Sequence, residues 1–465
     1  MNKKRDYSPL VRELHEEYAR HSPNSAALHE RAKRVMVDGG SHNIRLIKPF
    51  PPRLRAARGA YVTDEDGHHI LDFWQGHFAN ILGHNSSVIT SALIELLQNG
   101  HGLQSGFTDR LQVELAEIIC RQTGAERVRF TTSGALATMY ATMLARAFAG
   151  RSLVLKVGGG WHGAQPWALK GVYFAENSSE HWGVESQGLP GGAADEVVVT
   201  RFNDPDMLRD IFRRHGDRLA CFIVEPFVGS GGFILATPEY LQTARQLADQ
   251  YGVVLIFDEV ISGFRFRAGD LGALYGVKPD LAAFAKIMGG GMPVAAIAGR
   301  ADVMSTCSHE GGKARVSGGT YSGHAASLAA AKAMIEYLVA QEKVVYPRIA
   351  ALGETLRRTT EQVFAREGIY VRCTGDANAA VPGSSMAMPH FAFEPGHPLM
   401  SPDDVNDPAV CDHTVREQVF QLALLCEDVH VVHGLGAVST AHTEKDIAQL
   451  AGALGRVARR LRPYM

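Results

Sequence analysis

Residues 280–291 read DLAAFAKIMGGG, an apolar run that ends in Lys286 and is followed almost at once by three glycines. Burial at the end of such a run disfavours the ammonium form of a lysine and favours the neutral amine, which attacks carbonyl carbons. A single lysine before glycine is more often a surface residue at the end of a strand, so its chemistry depends on its neighbours. The run marks Lys286 as a candidate for covalent attachment to a carbonyl group.

A second apolar run, residues 253–257, is closed by Asp258 and Glu259. This pattern predicts a strand buried on both faces, and the carboxyl ends of such strands are where open α/β sheets bind ligands. A buried anion there needs a cationic partner, and a protonated pyridine nitrogen is one. A lysine imine together with an aspartate beside a pyridinium is how proteins hold pyridoxal phosphate.

The composition of the 465 residues, 46% hydrophobic and 21% charged, is that of a globular protein with two or three domains. A net charge of −2 indicates no bias toward nucleic acid or anionic membranes. The six cysteines have no paired spacing, so neither a disulfide framework nor a metal site is predicted. No apolar stretch of membrane length or leader type occurs, and we expect a cytoplasmic protein.

Short apolar runs alternate with helical periodicity between residues 88 and 324. The alternation predicts an α/β domain with a mainly parallel, seven-stranded sheet that is covered by helices on both faces. The predicted strands are 127–131, 153–157, 197–201, 219–224, 253–257, 281–285 and 294–298.

Three segments are predicted along the chain. Residues 1–75 hold an amphipathic helix up to about residue 35 and a hairpin around Asp66-Gly67, and should pack with the C-terminal part. Residues 76–330 form the large domain. Residues 331–465 form a smaller α+β domain, which follows a helix over 325–342 and has strands near 370–372, 386–388 and 429–432 and a last helix over 444–461.

Further polar motifs fall at the ends of predicted strands. Ser133-Gly134-Ala135 opens a helix, which suits a phosphate or an ordinary helix cap. Trp161 and His162 follow three glycines, and Trp161 is either a ring that stacks on a cofactor or a core residue. Glu225 is expected to orient its neighbours, and Thr320, in a glycine-rich turn, either binds phosphate or caps a helix.

Taken together, these motifs resemble the class III aminotransferases, and most closely the glutamate-1-semialdehyde aminomutase branch. Their order and spacing match from about residue 32 to residue 447. The matching segments are Glu225-Pro226, residues 258–265 (DEVISGFR), 286–294 (KIMGGGMPV), 317–323 (SGGTYSG) and 439–443 (STAHT).

The resemblance implies the fold type I architecture and a homodimer with active sites at the subunit interface. It implies that Lys286 and Asp258 are catalytic: Lys286 forms the internal aldimine with pyridoxal 5'-phosphate and moves protons, while Asp258 pairs with the pyridine nitrogen. Val260 and Trp161, which stands where the family usually has tyrosine, would sandwich the ring. The implied cofactor-binding residues are Ser133, Gly134, Ala135, Trp161, His162, Glu225, Asp258, Val260, Lys286 and, from the partner subunit, Thr320.

Arg45 lies in a segment, residues 39–45, that resembles the substrate-carboxylate segment of the aminomutase and of β-amino-acid aminotransferases. A guanidinium binds a carboxylate through two parallel hydrogen bonds, whereas the alternative is a surface ion pair. The predicted substrate-binding residues are Arg45, His77 and Ser230.

The sequence departs from the aminomutase pattern in four places. Ala135-Leu136 replaces Thr-Glu, His77 replaces a tryptophan, His324 replaces an asparagine, and Gly434 replaces a glutamate that addresses the diamino intermediate. Together these changes argue against the aminomutase's own substrate.

The leading functional hypothesis is an aminotransferase that moves an amino group between a carboxylate-bearing amino acid and a carbonyl acceptor through pyridoxamine phosphate. An intramolecular aminomutase and an amino-acid racemase stay open because both share its carbanionic chemistry. A protein that keeps the fold without the cofactor is a further alternative. The expected partners of the aminotransferase are small amino and keto compounds, and nucleic acid is not expected among them. A dinucleotide site is set aside because no G-x-G-x-x-G opens a helix after the first strand.

Overall fold

The computed structural model describes residues 5–104, 106–172, 183–184, 186–432 and 434–465. Its central feature is a seven-stranded sheet of order β4-β12-β11-β10-β7-β5-β6. The strands are β4 (Arg127–Thr131), β5 (Leu153–Val157), β6 (Val197–Thr200), β7 (Leu219–Val224), β10 (Val254–Glu259), β11 (Leu281–Phe284) and β12 (Ala295–Gly299).

Apolar continuity explains why these segments lie at the centre. Strands β5, β7, β10 and β11 are buried along their whole length, as expected when helices cover both faces of a sheet. Strand β5 pairs in parallel with β6 and β7, and β10 pairs in parallel with β7 and β11. Strand β12 runs antiparallel to both β11 and β4. The predicted mainly parallel, seven-stranded sheet is confirmed.

Three smaller sheets surround it. A four-stranded sheet has the order β1-β2-β3-β15, a three-stranded sheet the order β13-β14-β16, and β8 pairs with β9. Parallel pairing of Val429 with Leu71 joins the N-terminal hairpin to a C-terminal strand. The limits of the three predicted segments, residues 1–75, 76–330 and 331–465, stay a prediction. The strands are β1 (Leu54–Arg58), β2 (Tyr61–Asp64), β3 (His69–Asp72), β8 (Phe227–Val228), β9 (Ile234–Leu235), β13 (Arg372–Thr374), β14 (Met386–His390), β15 (Val429–His430) and β16 (Gly436–Ala437).

Helices cover these sheets and connect their strands. In the part of the chain that the structure describes, no helix combines the length and the apolarity needed to cross a bilayer. The α-helices are α1 (Ser8–His21), α2 (Pro23–Lys33), α4 (Ser87–Gln98), α5 (Arg110–Thr123), α6 (Gly134–Ala149), α7 (Pro205–His215), α8 (Pro238–Tyr251), α9 (Gly272–Tyr275), α10 (Ala301–Met304), α11 (Ala325–Ala340), α12 (Glu342–Arg366), α13 (Pro402–Asn406), α14 (Gln421–Leu425) and α15 (Glu444–Leu461), while the short turn α3 (Gln75–Phe78) has left-handed backbone.

Several predicted boundaries were wrong. The single N-terminal helix is two helices, because Pro23 lacks an N–H donor and starts α2 instead of continuing α1. The strand expected at 370–372 begins at Arg372, where pairing with His390 starts. The helix expected over 325–342 ends at Ala340, and the long helix α12 follows it.

A cluster of polar side chains fastens α1 to the rest of the molecule. The His21 and His68 rings stack with their centroids 3.8 Å apart. His21 Nε2 lies 3.0 Å from Asp428 Oδ1, and His68 Nδ1 lies 2.9 Å from the carboxylate of the buried Asp64. The end of α1, the β2–β3 hairpin and the segment before β15 therefore meet at one place.

Candidate active site

Lys286 lies in a tight turn directly after β11. Its φ of 49° is in the left-handed region, and Gly290 and Gly291, with φ of 59° and 90°, complete the reversal of the chain. Left-handed backbone is unfavourable for a lysine and is common at functional sites. Burial lowers the pKa of Lys286 to about 8, although the nearby carboxylates of Asp258 and Glu225 act in the opposite direction. Much of the amine is therefore neutral at mildly alkaline pH.

Asp258 is buried near the end of β10, where it pairs in register with Ala283 of β11. Its Oδ1 accepts the Val260 N–H at 3.0 Å, and its Oδ2 lies 2.7 Å from His162 Nδ1. Burial lowers the pKa of His162, which favours its neutral ring. Because a carboxylate oxygen accepts, the hydrogen of this bond lies on Nδ1. Asp258 is thus an oriented buried anion beside Lys286.

Two side chains that the sequence analysis missed hold His162 in place. Thr138 Oγ1 donates to the His162 carbonyl at 2.7 Å, and Gln165 Nε2 donates to the same carbonyl at 2.9 Å. Gln165 Nε2 also lies 2.9 Å from the Ala135 carbonyl at the start of α6. The signal in the sequence for Thr138 was its place, with Thr142, on a buried face of α6 that is otherwise mostly alanine. These bonds join the start of α6 to the loop that carries Trp161 and His162.

Two buried ionisable side chains hold the turn before Trp161 in place. Lys156 Nζ donates to the carbonyls of Gly160, Ala168 and Lys170 at 2.8–3.0 Å, and burial lowers the pKa of Lys156 to about 7. On the other side, Glu225 Oε1 accepts the Trp161 N–H at 3.0 Å. The sequence analysis missed Lys156, whose signal was a lysine inside the apolar strand LVLKV.

Glu225 also orients a second loop, because its Oε2 accepts the Gly229 N–H at 3.1 Å. Burial and the charge of Asp258 raise the pKa of Glu225 to about 8. Two carboxylates and one amine therefore share this buried space, and both the carboxyl of Glu225 and the amine of Lys286 are displaced toward their neutral forms.

The start of α6 is open for an anion. Ser133 is the N-cap residue and its Oγ accepts the Leu136 N–H at 3.3 Å, while the Ala137 N–H makes a bond to the Ser133 carbonyl at 3.0 Å. The amides of Gly134 and Ala135 precede these bonds, at the positive end of the helix. A Cβ at Gly134 would lie 2.9 Å from both Cγ atoms of Val260, so only glycine leaves this space open.

These groups fit pyridoxal phosphate. A buried carboxylate suits a protonated pyridine nitrogen, an amine of lowered pKa suits an aldehyde, and a helix N-terminus suits a phosphate. Asp258, Lys286 and the amides at the start of α6 are the residues that would hold those three parts, with Val260 beside the space between them.

The predicted substrate residues lie on three exposed or partly exposed segments. Arg45 is exposed at the end of a short 3-10 turn, and the His42 ring in the same segment lies 5.6 Å from the His77 ring. Ser230 is exposed in the loop that Glu225 orients, and a Cβ at the adjacent Gly231 would lie 2.8 Å from the Gly159 carbonyl. The structure brings His77 close to the Arg45 segment and Ser230 close to the turn before Trp161.

Arg265 is a buried arginine that the sequence analysis did not assign to the site. Its Nη2 donates to the Phe78 carbonyl, and its Nε donates to the Ile261 carbonyl at 2.8 Å. Burial lowers the pKa of Arg265 to about 9, and its charge also disfavours protonation of Lys286. It connects the segment of His77 to the segment after Asp258.

Two further positions bear on the predicted site. Thr320 is exposed, and a Cβ at the preceding Gly319 would lie 3.7 Å from Thr132 Oγ1, beside the start of α6. Gly434 has a φ of 103°, and a Cβ there would lie 3.1 Å from Pro389 Cδ and 3.3 Å from Met388 Cγ. A glutamate at position 434 would therefore need both backbone strain and displacement of its neighbours.

Comparison with known proteins gives a consistent set of matches. The family described as Aminotransferase class-III matches residues 47–375. The glutamate-1-semialdehyde 2,1-aminomutase of Methanocella arvoryzae is 36% identical over 334 residues, which cover 72% of this chain and 76% of that protein.

Solved structures extend the likeness over almost the whole chain. An ω-transaminase from Sphaerobacter thermophilus has a TM-score of 0.84 and 31% identity, over 94% of this chain and 98% of that one. A β-phenylalanine aminotransferase from Variovorax paradoxus has a TM-score of 0.82 and 28% identity, over 97% of each chain.

The amine of Lys286 should titrate near pH 8 in the cofactor-free protein, compared with about 10.4 for an unfolded chain. Between these values the unfolded chain holds a proton that the folded chain has released, so the free energy of unfolding rises with pH. Urea unfolding from pH 7 to pH 10 should show a smaller rise for Lys286→Met than for the unsubstituted protein. Parallel profiles for the two proteins would contradict the lowered pKa.

Proposed function

The chain belongs to the class III aminotransferases, which are enzymes that depend on pyridoxal 5'-phosphate, and from that premise we propose that it moves an amino group between a carboxylate-bearing amino acid and a carbonyl acceptor. The observation that carries the proposal is the buried group of Lys286, Asp258 and Glu225, with an amine of lowered pKa next to an oriented carboxylate. The amine of Lys286 is buried close enough to Asp258 and Glu225 for both charges to act on it.

When bound, the cofactor supplies an electron sink for the carbanion that forms at the substrate carbon. Lys286 would hold the cofactor through Nζ, and the same atom would accept and return the proton at the substrate carbon that bears the amino group. A pKa near 8 suits this task, because the amine then both accepts and returns a proton near neutral pH.

Asp258 would pair with the pyridine nitrogen, and the Nδ1–H of His162 orients its carboxylate. Val260 and Trp161 would enclose the ring from its two faces. The amides of Ser133, Gly134 and Ala135 would bind the phosphate at the positive end of α6. Ala135 and Leu136 add no polar side chain there, so the backbone and the partner subunit's Thr320 would provide the phosphate contacts.

Transfer between two substrates is favoured over the intramolecular reaction by Gly434. The aminomutase pattern has a glutamate at this position, and here the left-handed backbone and the close contacts of Gly434 with Pro389 and Met388 oppose a side chain. The names of the sequence relatives support the alternative, an aminomutase, while racemisation shares the same proton transfer at Lys286. His77 and Ser230 complete the substrate pocket beside Arg45.

A half-reaction screen decides among these reactions. The cofactor-loaded protein is mixed with α-, β- and ω-amino acids and with amines, and the products are followed by absorbance and mass spectrometry. We expect a carbonyl product and an aminated cofactor in equal amounts. Lys286→Ala should still bind the cofactor but lose about 10²-fold or more of the rate, because its proton carrier is gone, whereas the exposed Lys278→Ala should match the unsubstituted protein.

An isomer of the added substrate would indicate an aminomutase, and deuterium exchange without net conversion would indicate a racemase. A protein that takes up no cofactor would contradict the whole proposal.

Arg45 is proposed to bind the substrate carboxylate through two hydrogen bonds. Such a charged pair contributes roughly 1.5–3 kcal/mol, so Arg45→Ala should raise the KM for a carboxylate-bearing donor by about 10- to 100-fold with kcat little changed. The KM for an amine without a carboxylate should not change in Arg45→Ala. The control is Arg34→Ala, which replaces an exposed arginine at the end of α2. Equal losses for both donors would contradict this role.

We propose a homodimer whose subunits complete each other's phosphate sites. The exposed apolar side chains Phe107, Val113 and Tyr321 lie on segments that meet near Thr320, because Gln112 contacts both the Phe107 carbonyl and the loop at Gly323. Water-exposed apolar side chains gathered in this way are typical of a subunit interface.

Mixed dimers of Lys286→Ala and Thr320→Ala subunits test this arrangement. If Thr320 acts across the interface, the mixed dimer has one site with both Lys286 and Thr320, and that site should bind the cofactor with unsubstituted affinity. Thr320→Ala alone should weaken binding by about tenfold, the value of a lost hydrogen bond to a charged group. The cofactor trapped on Lys286 by borohydride is the readout. Absence of a high-affinity site in the mixed dimer would contradict contribution across the interface.

A further inference from the structure

The segment that carries His77 has an unusual backbone. Gln75, Gly76, His77 and Phe78 have φ values of 47°, 62°, 64° and 64°, so four consecutive residues form a left-handed turn. The Phe78 N–H bonds to the Trp74 carbonyl at 2.8 Å, and the Ala79 N–H bonds to the Gln75 carbonyl at 3.1 Å. Left-handed backbone costs roughly 1–2 kcal/mol for each residue other than glycine, and it persists only where the surroundings determine it.

Asp72, at the end of β3, holds the left-handed turn in this conformation. Its carboxylate is buried and accepts the Trp74 N–H at 3.0 Å on Oδ1 and the Gln75 N–H at 2.8 Å on Oδ2. The Asp72 carbonyl accepts from Gln75 Nε2 at 2.7 Å. Both backbone amides at the entrance of the turn are therefore bound to one side chain, which fixes where the left-handed segment begins.

Two imidazoles hold the carboxylate from the outside. His430 Nδ1, on β15, lies 2.8 Å from Asp72 Oδ1, and His84 Nε2 lies 2.7 Å from Oδ2. These hydrogen bonds outweigh burial and hold the pKa of Asp72 far below its usual range. The carboxylate stays ionised throughout the neutral range and keeps all of its acceptors available to the turn.

The left-handed turn faces the residues of the candidate site. It packs against the Lys286–Gly289 turn, and the Phe78 carbonyl accepts from Arg265. Asn80 Nδ2 lies 3.2 Å from His84 Nδ1, and a Cβ at Gly291 would lie 3.2 Å from Asn80 Oδ1. The contacts of Asp72 therefore extend through the turn and through His84 and Asn80 to the loop that follows Lys286.

We propose that Asp72 is a positioning residue, which fixes the left-handed turn and so presents His77 to the substrate beside Arg45. The role of the turn in substrate affinity rests on the proposed function. The part of Asp72 in holding the turn rests on geometry alone.

Asp72→Asn is the test, because it removes the charge and replaces one acceptor oxygen by a donor. Asp64→Asn is the matched control: Asp64 is also buried in the β2–β3 hairpin and accepts from the Asp66 and His68 amides and from the His68 ring, away from the turn. Hydrogen exchange of the cofactor-loaded enzyme is measured over residues 74–79, together with steady-state kinetics.

Asp72→Asn should speed exchange at 74–79 and raise the KM for the amino donor about tenfold, an interaction of the size usual for contacting groups. In a His77→Ala background the same substitution should change the KM less than about twofold, because Asp72 acts through His77. Asp64→Asn should lower stability without either effect. If Asp72→Asn fails to fold, His84→Ala, which removes one donor and keeps the charge, should speed exchange at the same amides by a smaller factor.

Unchanged exchange at residues 74–79 would overturn the proposal, as would an equal rise in KM with and without His77. The exchange arm needs no turnover. If no amino donor reacts, the proposed function fails, while faster exchange in Asp72→Asn alone would still support the hold of Asp72 on the turn.

Discussion

The buried carboxylate of Asp258 is the interaction on which the rest of the site depends. A carboxylate at the end of a fully buried strand is costly unless every lone pair has a partner, and here the Val260 amide and His162 Nδ1 supply two. The carboxylate still needs a cationic partner, and the amine of Lys286 beside it has a lowered pKa. The pocket is therefore suited to a ligand that brings a cationic group. Parallel pairing of β10 with β11 places this anion one strand away from the lysine turn.

Other buried ionisable side chains serve the same geometry by holding turns. Lys156 and Glu225 form hydrogen bonds to opposite sides of the turn before Trp161, and Arg265 donates to the end of the turn that carries His77. Each of these side chains bonds mostly to backbone groups, and hydrogen bonds of this kind reduce the cost of burying a polar group. Asp72 and Arg265 together hold the left-handed turn that carries His77, a backbone conformation that would otherwise be unfavourable.

The sequence predicted the parts of this arrangement that follow from local pattern. Apolar runs closed by Lys286 and by Asp258 indicated neighbouring strands, and parallel strands end at one edge of a sheet, so their adjacency could be inferred. The roles of Lys156, Thr138 and Asp72 could not, because each bonds to backbone groups whose position depends on the folded loops. The left-handed turn was equally hidden, since Gly76 is the one residue in it that favours such backbone.

The most direct measurement is the ¹⁵N chemical shift of the pyridine nitrogen in protein loaded with ¹⁵N-labelled pyridoxal phosphate. The account predicts a protonated nitrogen over the whole neutral range, and loss of that protonation in Asp258→Asn, while His162→Gln shows an intermediate response because the carboxylate loses its orienting donor. An unprotonated nitrogen in the unsubstituted enzyme, or one that stays protonated in Asp258→Asn, would contradict the claim that this carboxylate organises the site.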